Sequence, residues 1–181
     1  LDLSAEEIEA SRYRGGMATS TVSIPAATRI GAVEVTVGDL ERSLDYYGSV
    51  VGLGLIGREG GRASLGADGL ELLGLVEEPG ADPAGRHTGL YHFALLLPER
   101  VDLARWLAHA GSDGVSLTGL SDHFVSEAIY LRDPDGHGIE IYWDRPREVW
   151  EGQVFERMTT LPLDVGSVLA ELPESEAQPF D

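Results

Sequence analysis

The sequence predicts an α+β fold: two tandem βαβββ units forming a curved mixed sheet around a central cleft. Three observations predict it. Strand-like runs with period-two alternation begin near residues 29 and 90, a spacing of roughly 60 residues that marks a repeated supersecondary unit. Each run leads into a helix-period stretch and then into short alternating runs. The second series closes on a hairpin, Ser121 to Pro146, that reverses at Asp133-Pro134-Asp135-Gly136. There proline presets a backbone angle and glycine accepts angles other residues resist. One such unit cannot cover its own sheet, so two side by side enclose a groove.

Residues 1–28 read as an N-terminal arm. Leu1 to Tyr13 fits a short helix, with Ser4 as cap, Glu7 three positions on and Gly15-Gly16 as its end. Met17 is an alternative start, which would make the sixteen residues before it an upstream artefact. The globular region spans 29–146, in units of about 29–78 and 89–146. Ile30 to Val37 is a β-branched strand with Val33, Val35 and Val37 on an apolar face and Ala32, Glu34 and Thr36 on the other. Asp39 caps a helix from Leu40 to about Val51, with Leu40, Leu44, Tyr47 and Val51 on one side and Gly52 closing it. Strands follow at 53–59, 62–66 and 70–77, separated by Gly60-Gly61 and Asp68-Gly69. Residues 78–89 are a linker rich in Gly, Pro and Ala. Leu90 to Leu97 is the next strand, Pro98 opens a helix to about Ala110, and Val115 to Leu120 is a weaker strand. In the final strand Glu140 and Tyr142 point one way, Ile139 and Ile141 the other. Residues 147–181 form a C-terminal tail with one short helix, Asp164 to Leu172.

Composition excludes several classes. With 181 residues and 43% apolar content the chain can bury a core. It has no apolar run of about 18 residues, so no membrane span is expected. Glu6, Glu7 and Glu9 stand where a signal peptide needs apolar residues. The absence of cysteine fits a cytoplasmic location. Thirteen basic against 31 acidic residues give a net charge of −18, a field that repels phosphate backbones and argues against nucleic acid as partner. Gly57 to Gly61 lacks the lysine and following helix of a phosphate loop, and no Gly-x-Ser-x-Gly elbow occurs.

Of five histidines, His87 and His109 read as exposed and His137 as a surface turn residue. His92 and His123 differ. A lone histidine in an apolar strand is more often a bonded core residue, and a lone strand glutamate is more often solvated. His92 and Glu140, however, lie on the first and last strands of one unit, so both can project into one concavity. Imidazole plus carboxylate suits Fe(II), Mn(II) or Zn(II), although a non-haem iron site wants two histidines and a carboxylate on one face.

The repeat, the segment Val-Thr-Val-Gly-Asp-Leu-Glu-Arg-Ser-Leu-Asp-Tyr-Tyr (35–47) and the segment Asp-Pro-Asp-Gly-His-Gly-Ile-Glu-Ile-Tyr (133–142) resemble the vicinal oxygen chelate superfamily. That group includes glyoxalase I, bleomycin-resistance proteins and extradiol dioxygenases. Thr88 to Pro98 and Ser121 to Tyr130 are similar, more particularly, to the N-terminal half of catechol 2,3-dioxygenases. The resemblance implies metal ligands at His92 and Glu140, a catalytic histidine assisting proton transfer at His123, and a catalytic tyrosine beside the ligands at Tyr130. In the first unit the corresponding positions are Ala32, which cannot bind metal, and one near Leu75, with Glu71 close by. A full triad would need Glu34, Glu71 or a residue of another chain. The implied cofactor is a divalent metal, Fe(II) or Mn(II), and the implied assembly a homodimer.

Three readings stay open. The first is a metal-dependent oxidoreductase, an extradiol dioxygenase-like enzyme acting on an aromatic diol. The second is a metal-free binding protein of the bleomycin-resistance type, holding a small aromatic or drug-like molecule between Tyr91, Phe93, Tyr142 and Trp143. The third is a non-catalytic half-protein in which His92 and Glu140 pair with each other. Trp150 is expected to cover the groove, to contact a second subunit or simply to pack on the surface.

Overall fold

Alternation of buried and exposed side chains in Val33–Val37 (β1) starts the fold, with Val35 and Val37 inward and Glu34 and Thr36 outward. The computed structural model describes residues 23–25, 27–83 and 88–176; His87 and the expected Leu1 to Tyr13 helix lie outside them. Residues 1–31 and 32–181 form separate units. The described residues of the first hold only a turn, closed by the Thr28 N–H on the Pro25 carbonyl at 2.9 Å.

After β1, the Asp39 carboxylate accepts from the Arg42 N–H (3.0 Å) and starts helix α1, Leu40–Tyr46. The helix widens into a π-turn, Tyr47–Val51, and stops at Gly52, whose φ of 90° suits glycine. Strands β2 (Gly54–Glu59), β3 (Arg62–Ala67) and β4 (Leu70–Glu77) complete the unit. The first sheet runs β1-β4-β3-β2, with β1 and β4 parallel.

The second unit repeats this order. It comprises β5 (Phe93–Leu96), α2 (Arg100–Ser112), β6 (Leu117–Asp122), β7 (Ser126–Arg132) and β8 (Gly138–Asp144). Its sheet runs β5-β8-β7-β6-β9, with β5 and β8 parallel. The two mixed sheets and their helices are the α+β architecture expected. Strand β5 begins three residues later than the alternation suggests, which places His92 just ahead of it. Helix α2 begins at a reciprocal capping box between Glu99 and Asp102 and runs through Gly111. In the tail, two single-turn helices, α3 (Arg147–Trp150) and α4 (Val154–Arg157), lead to the two-residue strand β9 (Leu161–Pro162) and to α5 (Val165–Leu169), capped by Asp164. Among the described residues no helix is long and apolar enough to cross a membrane.

One hydrophobic core runs through both repeats. It joins Val37, Leu40, Tyr47, Leu73 and Leu75 to Phe93, Leu103, Ile129, Leu131, Ile139 and Ile141. The Asp-Pro-Asp-Gly turn is the polar joint between the repeats. The Tyr47 hydroxyl donates to Asp133 at 2.8 Å, Arg42 donates to Asp135 at 2.7 Å, and the Gly38 N–H donates to Asp135 at 3.1 Å. Burial, then the neighbouring Asp133 carboxylate, pushes the Tyr47 hydroxyl pKa well up, so it stays a donor. His137 is therefore no bystander: its Nε2 donates to the Thr36 carbonyl at 2.8 Å. His109 is likewise only half exposed and donates from Nε2 to the Ser49 carbonyl at 2.9 Å.

Candidate functional site

Parity along β7 and β8 sends Ala128, Tyr130, Glu140 and Tyr142 to the sheet face opposite the core. Tyr130 and Glu140 are register partners, and Glu140 is also the partner of Ala94 on β5. This brings the four singled-out residues into one line. His92 Nε2 lies 2.9 Å from Glu140 Oε2. The Tyr130 hydroxyl donates to Glu140 Oε1 at 2.8 Å, and His123 Nε2 lies 2.9 Å from the same hydroxyl. Burial first, and the Glu140 carboxylate second, raise the Tyr130 pKa, so the hydroxyl keeps its proton.

A cavity of about 490 Å³ opens on this line, with Tyr91, His92, Thr118, Ser121, His123 and Tyr130 on its walls. Two glycines make the room. Gly119 faces Tyr130, where a Cβ would lie 3.4 Å from the ring. At Gly138 a Cβ would lie 2.5 Å from the Tyr91 carbonyl oxygen and 2.9 Å from His92 Cβ, so only glycine lets β8 pass beneath His92. The exposed Tyr91 ring lies tilted beside the His92 ring, centroids 5.1 Å apart. Of the four aromatic walls expected, Tyr91 lines the cavity and Tyr142 stands on the same sheet face as Glu140. Phe93 and Trp143 do not serve: both have core parity and pack into the core. Trp150 does not cover the site either; its indole N–H is bound to the Arg145 carbonyl at 3.0 Å and Arg147 stacks over it.

The turn carrying His123 is firmly held. Phe124 has φ 69°, a left-handed conformation that an aromatic residue adopts only when its surroundings impose it. The Asp122 carboxylate accepts from the Phe124 N–H at 2.8 Å, Arg145 donates to the Phe124 carbonyl at 3.1 Å, and Arg157 stacks on the ring at 4.1 Å. Hydrogen bonding to Arg145 is the main reason the Asp122 pKa is lowered. Behind it sits a residue the sequence reading passed over, Glu127. It is 3% exposed and bound by Arg100 at 2.7 and 3.0 Å and by Arg145 at 2.8 Å. A signal existed: Glu127 shares the parity of Ile129 and Leu131, and a carboxylate on a core face needs buried cationic partners.

Register equivalence shows why the first unit lacks this site. Val33 opposite Leu73 corresponds to Phe93 opposite Ile139. Ala32 then stands at the His92 position, and the Glu140 position is Gly74, one residue before the expected Leu75, which faces the core. Ser64, paired with Gly74, stands in place of Tyr130. Glu34 and Arg62 form an ion pair where the second unit has Ala94 and Ala128. Glu71 accepts from the Ser64 hydroxyl at 2.9 Å. Glu34 and Glu71 are thus engaged within the first sheet. Among the described residues no group of three His, Cys, Asp or Glu side chains could hold a metal ion.

Comparison with known proteins agrees with this fold. Residues 29–141 match the family described as Glyoxalase/Bleomycin resistance protein/Dioxygenase superfamily. The chain belongs to that superfamily. A catechol-2,3-dioxygenase of Bacillus subtilis (strain 168) is 45% identical over 156 residues, covering 82% of this chain and 54% of the relative. The chain thus spans about half the length of that relative. The crystal structure of a glyoxalase/dioxygenase from Nostoc punctiforme shares the fold at TM-score 0.56 and 22% identity, covering 70% of this chain and 100% of the other. A glyoxalase/bleomycin resistance protein/dioxygenase from Alicyclobacillus acidocaldarius does so at TM-score 0.55 and 19% identity, covering 67% and 95%.

Proposed function

We propose that the cavity of the second unit is the substrate site of an extradiol, catechol 2,3-dioxygenase-like oxidoreductase acting on an aromatic diol. The observation that carries this reading is the bonded line His92–Glu140–Tyr130–His123, of which His92, Tyr130 and His123 line the cavity. The likeness to the Bacillus subtilis relative supports it. His92 Nε2 and Glu140 Oε2, 2.9 Å apart, would hold a divalent metal, Fe(II) or Mn(II). Their separation fits two donors about 2.1 Å from one ion at roughly a right angle. A residue of another chain, in a homodimer, would add a third protein donor.

The metal would supply Lewis acidity to two adjacent substrate oxygens and open positions for oxygen. The protein does the rest. The exposed Tyr91 ring receives the substrate ring, while the Thr118 and Ser121 hydroxyls offer polar contacts at the wall. Tyr130 keeps its proton and holds Glu140 in orientation. His123, one hydrogen bond further out, is placed to give or take a proton.

A second reading, a metal-free binder of small aromatic molecules, is favoured by the direct His92–Glu140 contact. The two are separated by anaerobic Fe(II) or Mn(II) titration, elemental analysis and a ring-cleavage assay with simple catechols. The enzyme reading expects one tightly held ion per chain, lost in His92→Ala and Glu140→Ala, and turnover that chelators abolish. Full turnover by demetallated protein overturns it. Catechol binding that is insensitive to chelators, with no turnover, selects the binder.

A further inference from the structure

The tail returns to the site. β9 pairs Leu161 with Asp122 and Pro162 with Ser121, which carries residues 159 and 160 past the outer edge of the His123 ring. Two of their groups meet His123 Nδ1, the Thr159 carbonyl oxygen at 3.3 Å and the Thr160 Oγ1 at 3.3 Å. Thr160 also lines the cavity.

Proton counting assigns the ring. The Tyr130 hydroxyl has one hydrogen and directs it to Glu140 Oε1. At the Tyr130 oxygen, His123 Nε2 must therefore be the donor and carry a hydrogen. A neutral His123 then has a bare lone pair at Nδ1. Of the two groups there, a carbonyl cannot donate, so the Thr160 hydroxyl is the partner of the neutral ring. When the ring takes a second proton, Nδ1–H finds the Thr159 carbonyl. The strap offers each protonation state its own partner without moving the ring, and the braced Phe124 turn keeps the ring in reach of both.

We propose that Thr160 is a positioning residue that acts with Tyr130 to hold His123 as its Nε2–H tautomer, with the Thr159 carbonyl receiving Nδ1–H of the protonated ring. The proposal rests on the acid–base role given to His123, but the arrangement of protons can be read without metal, substrate or turnover. If it holds, His123 exchanges protons with the outside at Nδ1 while keeping Nε2–H on Tyr130. The tail then becomes part of the site rather than an appendage.

The test is nitrogen-15 NMR of the histidine rings in the full chain above the ring's titration range, with His123 assigned by its loss in His123→Gln. The wild-type ring is expected mainly as Nε2–H. Thr160→Val, which keeps the shape and removes the donor, is expected to lower that form to less than half, while Thr160→Ser restores it. A wild-type ring found mainly as Nδ1–H overturns the proposal with no variant needed. So does a Thr160→Val protein, folded by circular dichroism, whose tautomer balance is unchanged. A failed metal titration beside the expected tautomer shift would sink the enzyme reading and leave this arrangement standing.

Discussion

Glu127→Gln tests the reasoning about the buried charges most directly. The Glu127 carboxylate takes two hydrogen bonds from Arg100, at 2.7 and 3.0 Å, and one from Arg145, at 2.8 Å. Removing one partner of a buried ion pair costs about 3–5 kcal/mol. Two features reduce the figure. Glutamine keeps the volume and one acceptor oxygen. The guanidiniums are 19% and 20% exposed and keep Glu171 and Asp122 as partners. Partial solvent screening and these remaining contacts roughly halve the loss, to about 2 kcal/mol. For a domain of this size that lowers the Tm by about 4–8 °C, measured by calorimetry or circular dichroism. Glu171→Gln removes only the exposed partner of Arg100 and is expected to change the Tm by about 1 °C or less. A Glu127→Gln protein melting within about 1 °C of wild type would falsify the claim that this buried carboxylate ties Arg100 to the Arg145 that braces the His123 turn.

Three further outcomes follow from the same geometry. Tyr47→Phe leaves one buried Asp133 oxygen without its donor and should cost about 1–3 kcal/mol, read from urea unfolding; an unchanged midpoint would show that the turn is not the joint between repeats. Gly138→Ala forces a Cβ against the Tyr91 backbone and should cost about 1–3 kcal/mol while weakening Mn(II) or catechol binding at His92; full stability with full binding contradicts the close approach. Asp122 titrates lower in the folded than in the unfolded chain because Arg145 binds it. Its contribution is therefore complete above the unfolded value near 3.9 and lost as pH falls through the lower folded value. Asp122→Asn should destabilise the protein at pH 6, with the gap from wild type closing below about pH 4 in a stability-against-pH series; a pH-independent gap would show that the charge is not what matters.

Local devices were legible because each is complete within a few residues. Asp39 reaches only to Arg42, and Gly52 and the Asp68-Gly69 pair each serve a turn of their own. The strand faces were equally plain. Glu140 with Tyr142, and Val35 with Val37, follow from parity alone. What escaped was longer in range or shorter in signal. β9 has two residues and no alternation to read; it exists because β6 has an edge to offer. Phe93 and Trp143 read as walls because they are aromatic, but their parity sends them to the core. Thr160 carries no motif at all, and its nearness to His123 depends on a segment 37 residues away folding back.

The amino-acid order by itself determined the doubled βαβββ plan, the apolar face of each strand and the side from which Glu140 and Tyr130 project. These are properties of dihedral angles and spacing, and they need no distant partner. Only the tertiary structure decided that Tyr130 stands opposite Glu140 and Ser64 opposite Gly74, and that Glu127 lies between two arginines while Glu34 meets one in the open. Register and docking set those meetings. A carboxylate's surroundings depend on which remote segment arrives beside it, and nothing in its own stretch of chain records the arrival.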